Sequence, residues 1–66
     1  MEDIDVWRSA AQFIKMHGED AGTAAALRAD ECLESGDPEG FRVWQRIVGA
    51  IRELQKAVPD PGNQFN

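Results

Sequence analysis

Residues 37–58, DPEGFRVWQRIVGAIRELQKAV, most limit what this chain can fold into, because their start signal, periodicity and stop signal all describe one long amphipathic helix. Asp37 is placed to accept hydrogen bonds from the first free backbone N–H groups. Pro38 suits the first helical position, where a missing N–H costs nothing, and Glu39 puts a carboxylate near the positive end of the helix dipole. At 100° per residue, Phe41, Val43, Trp44, Ile47, Val48, Ile51, Leu54 and Val58 fall in an arc roughly 160° wide, with Arg42, Arg46, Gly49, Glu53 and Lys56 opposite. An apolar arc of that breadth touches two neighbours, so this helix is expected to be the central element, about 30 Å long. Pro59 is expected to stop it.

Two shorter helices are expected before it. The first runs from Asp3 or Asp5 to His17, with an aspartate as cap and Gly18 as the left-handed residue after its end. Ile4, Trp7, Ala10, Ala11 and Ile14 share its expected inner face, while Phe13 and Met16 fall at or beyond the edge of that stripe. The second covers residues 19–35, with Gly36 after its end and an inner face of Ala21, Gly22, Ala25, Ala29, Cys32 and Leu33. Small side chains there let a neighbour approach closely, making this helix a thin wall. The reading is therefore all-α: a compact three-helix domain over residues 1–58, its long C-terminal helix central, followed by a flexible tail over residues 59–66 in which only Phe65 is large and apolar.

With 66 residues there is room for one domain, and its core has few large side chains: nine of the 28 apolar residues are alanine. Cys32 is the sole cysteine, so neither an internal disulfide nor a cysteine-based zinc site can reinforce the fold. Self-association is the remaining way to finish such a core. Charge is divided to match. Residues 1–40 hold ten acids and three bases, whereas residues 41–66 hold four bases and two acids, a division that suits docking between complementary faces.

The chemical inventory argues against catalysis. His17, the lone histidine, sits where the negative end of a helix favours it. The glycines of HGEDAGT lack the Lys-Ser/Thr ending of a phosphate loop and carry two acids where phosphate would sit. Cys32 lies among alanines with Glu31 and Glu34 beside it, whereas a nucleophilic thiol wants positive neighbours. The expectation is a non-catalytic protein with no metal and no cofactor. Arg42, Arg46 and Lys56 form a basic stripe that brings helix-turn-helix DNA readers to mind, but Glu53 interrupts it and a net charge of -5 opposes a polyanion. Nucleic acid is therefore a third choice of partner.

What remains is contact with protein. Leu27 lies within a ring of Asp30, Glu31 and Glu34, an apolar centre with a charged rim, and this face is expected to meet the Arg42, Arg46 and Lys56 stripe of another copy or of an unknown protein. The alternative is an acidic adaptor or inhibitor that covers a basic surface of a partner protein. No segment approaches the roughly 20 apolar residues of a membrane span, and MEDIDVW is acidic where a secretory signal is basic, so the expected location is cytoplasmic.

The pattern W-x2-A-A-x5-H-G-x2-A from Trp7, R-A-x-E from Arg28, G-D-x2-G from Gly36 and W-x-R-I-x2-A-I-x2-L from Trp44 resembles a family of short bacterial helical proteins of unknown function. The likeness spans residues 7–55. It implies a compact helical domain and carries over no active site.

Overall fold

A computed structural model describes residues 3–57, and over them the chain is all-α: every residue outside positions 35–37 is helical. Helix α1 spans Asp3–His17, a 3-10 turn sits at Gly18–Asp20, α2 spans Ala21–Glu34 and α3 spans Pro38–Ala57. Val58, Pro59 and the tail with Phe65 lie outside the described residues, and so does the stop expected of Pro59. No helix among those described is long and apolar enough to cross a membrane.

Local chemistry accounts for the corner between α2 and α3. Gly36 takes φ +75°, a left-handed conformation that an L side chain resists. Its N–H donates to the Leu33 carbonyl at 3.2 Å and the Asp37 N–H donates to the Cys32 carbonyl at 2.8 Å, the paired bonds that close a helix through glycine. Asp37 then serves the next helix: its Oδ1 accepts from the Gly40 N–H at 3.0 Å, as an N-cap should. A Cβ on Gly40 would lie 2.9 Å from Cys32 Sγ and overlap the Asp37 carboxyl group, so a side chain here would have to displace the thiol and the capping carboxylate.

The corner between α1 and α2 is built differently. Gly18 has φ +60° and ends α1 as expected, but a single 3-10 turn intervenes before the next helix, and α2 begins at Ala21 instead of Glu19. Neither His17 nor Asp20 makes a side-chain cap bond. One long-range bond reaches this corner, from Gln55 Nε2 of α3 to the Gly18 carbonyl at 3.1 Å.

α3 lies against both α2 and α1, more extensively than those two touch each other. The core they enclose consists of Val6, Ala10, Ala21, Ala25, Ile47, Val48, Ala50 and Ile51, with Phe13, Ile14, Val43, Trp44 and Leu54 partly buried around it. Among the described residues the buried side chains larger than alanine are Val6, Ile47, Val48 and Ile51. On α1 the buried stripe is Val6, Ala10, Phe13 and Ile14, rotated from the expected one: Ile4 and Ala11 are exposed and Trp7 is 43% exposed. The reason is the partner ring. Phe13 meets Trp44 edge-on at a centroid separation of 5.3 Å, and turning α1 to make that contact carries Ile4 and Trp7 outward. Leu33, also expected inside, is exposed because α2 meets its neighbours through Ala21, Ala25 and Ala29.

Candidate interaction surface

Leu27 projects from the side of α2 away from its buried alanines and is 58% exposed. Asp30, Glu31 and Glu34 are exposed too, and spacings of three, four and seven residues from Leu27 bring them onto its face. Glu31 is paired within the helix, Oε1 lying 3.4 Å from Arg28 Nη1. Asp30 and Glu34 make no ion pair among the described residues.

The basic stripe is partly occupied at home. Arg46 pairs with Asp3, tying α3 to the start of α1, and Lys56 Nζ lies 3.9 Å from Glu53 Oε2 one turn earlier. Arg42 is exposed and makes no ion pair among the described residues, although Glu39 stands three positions before it. Asp3 and Arg46 are each at least half exposed, so their bridge is screened by water and orients α1 more than it stabilises it.

A further apolar feature depends on packing between helices. α1 and α3 leave a groove of about 540 Å³ walled by Phe13, Met16, Val43, Trp44 and Ile47, with Arg8 at its edge. On the opposite flank of α1, Trp7 lies beside Gly49, Ala50 and Glu53. Ile4, Trp7, Met16, Leu27 and Leu33 are thus large apolar side chains left in contact with water. The alternative stripe Val6, Ala10, Ile14, spaced by four, was the signal in the sequence that could have placed Ile4 and Trp7 outside.

The candidates for chemistry stand apart from one another. His17 is exposed at the end of α1 and stacks on Phe13, ring centroids 4.6 Å apart and planes inclined by 45°. Cys32 is half-buried against the start of α3, where its Sγ faces Gly40. Among the described residues no three His, Cys, Asp or Glu side chains converge as ligands for a metal. No protein-family model, curated protein or solved structure matches this chain, so the reading of its surface rests on the geometry alone.

Proposed function

We propose that this chain is a non-catalytic interaction module that self-associates, built as a compact three-helix domain with its long C-terminal helix at the centre. One observation carries the reading: among the described residues five large apolar side chains lie exposed, whereas only Val6, Ile47, Val48 and Ile51 are buried side chains larger than alanine. A domain this small gains little from its own core, and covering those side chains against a second copy supplies the burial that the alanines do not. Light scattering across protein concentration tests the proposal. Association that strengthens with concentration is the expected result, and a strict monomer at millimolar concentration overturns it.

A second reading has its own support. Asp30 and Glu34 are exposed beside Leu27 with no ion pair among the described residues, an arrangement fitted to a basic surface on another protein. A Glu31→Lys, Glu34→Lys variant separates the two. If it still self-associates but no longer captures a basic partner, the acidic face serves as an adaptor.

A further inference from the structure

The buried and partly buried positions of the first two helices continue one another across the turn between them. Val6, Ala10 and Ile14 are spaced by four, Ala21 comes seven residues later, and Ala25 and Ala29 are again spaced by four. Such spacings trace one stripe along a single α-helix. The 3-10 turn therefore interrupts a helix whose inward pattern does not require the interruption. It is also weakly fastened: Gly18 holds a left-handed φ with nothing within 4 Å of where a Cβ would stand, both flanking caps lack side-chain bonds, and the clamp from Gln55 is exposed.

We infer that Gly18–Asp20 is a hinge for exchange of α1 between two copies of this chain: α1 and α2 straighten into one helix, and α1 takes the same seat on the α3 of a second copy. This rests on the self-association proposed above and names its route. Exchange remakes every α1–α3 contact, including Phe13 on Trp44 and Asp3 with Arg46, between chains instead of within one, so no new complementary surface has to exist. Exchanging an identical element between protomers is a low-cost route to a dimer. The α1 seat suits exchange because α1 is held mainly by α3 and only slightly by α2.

The test combines mass with distance. In the closed chain Phe13 and Cys32 line one pocket, which sets α1 beside the C-terminal part of α2. In a straightened helix, residues 12 and 34 lie about 33 Å apart at 1.5 Å per residue. Spin labels on Gln12→Cys and Glu34→Cys in a Cys32→Ala background, diluted with unlabelled chain, report the distance within one chain. The dimer fraction is expected to show the long distance. Gly18→Ala relieves a left-handed residue and favours a continuous helix in each of two chains, and is expected to raise the dimer association constant on the order of a hundredfold. Gln55→Ala leaves φ untouched, removes the clamp and is expected to shift association the same way by severalfold. A dimer that keeps the short distance overturns the exchange while leaving self-association standing. Wild type and both variants remaining monomeric at millimolar concentration overturns the hinge and the self-association together.

Discussion

The two corners of this chain turn the backbone by different means. At the α2–α3 corner, Gly36, Asp37 and Gly40 make bonds to named partners within six residues, and a carbon added at Gly40 would push against the Asp37 carboxylate and the Cys32 thiol. At the α1–α2 corner, a glycine and one 3-10 turn, closed by the Ala21 N–H on the Gly18 carbonyl, stand without side-chain caps, and a bond from Gln55 of α3 reaches the same carbonyl. A corner written in local hydrogen bonds keeps its shape whatever its surroundings, whereas one held by tertiary packing can open when that packing is shared with another molecule.

The largest effect is expected from the packing that both corners share. Ile51→Ala should lower stability by about 3 kcal/mol, since a fully buried isoleucine is emptied in a core whose other buried side chains larger than alanine are only Val6, Ile47 and Val48. Urea unfolding would measure it, and a loss below about 1 kcal/mol would show that the core is not where stability lies. The comparison sharpens with two identical substitutions. Gly40→Ala should destabilise by about 2 kcal/mol because its methyl group collides with Cys32 and the Asp37 cap, despite the better helix propensity of alanine. Gly22→Ala should instead stabilise by about 1 kcal/mol, its Cβ coming to rest 4.0 Å from Ile51 Cγ2 in ordinary contact. Equal effects of the two on the urea midpoint would erase the distinction drawn between tight and open ends of the α2–α3 contact.

Smaller effects distinguish the corners themselves. Asp37→Ala should cost about 1 kcal/mol through loss of the cap, with hydrogen exchange accelerated at the Gly40 amide and little changed at α1. Asp3→Asn removes one charge from an exposed pair and should cost less than about 0.5 kcal/mol, the difference vanishing in high salt. A larger, salt-insensitive loss would mean that the start of α1 is pinned more firmly than its exposure implies.

Much of this architecture was legible along the chain because its signals are local. Gly18, Gly36 and the Asp37–Pro38 start act within a turn of their own positions, so the end of α1, the end of α2 and the start of α3 came from residue identity, whereas the 3-10 turn that delays α2 to Ala21 did not. Phe41, Val43, Trp44, Ile47, Val48, Ile51 and Leu54 are all at least partly buried, as a wide arc on α3 requires. The Leu27, Asp30, Glu31 and Glu34 face was likewise legible, since helical spacing alone brings those residues together. Which side of α1 turns inward was not. Two stripes competed on that helix, and the heavier one, through Ile4 and Trp7, lost to the one that lets Phe13 reach Trp44. The partial occupation of the basic stripe by Asp3 and Glu53 and the groove beside Met16 were equally out of reach: the Asp3 bridge and the groove need α1 and α3 side by side.

By itself, then, the sequence determined where α1 ends, where α2 gives way to α3 and which face of α3 is apolar, because hydrogen-bond capping and 3.6-residue periodicity are properties of neighbouring residues. Only the tertiary structure decided the rotation of α1 and the apolar side chains left outside, because these depend on which distant surface each helix meets and on how few large groups the alanine-lined face of α2 can enclose.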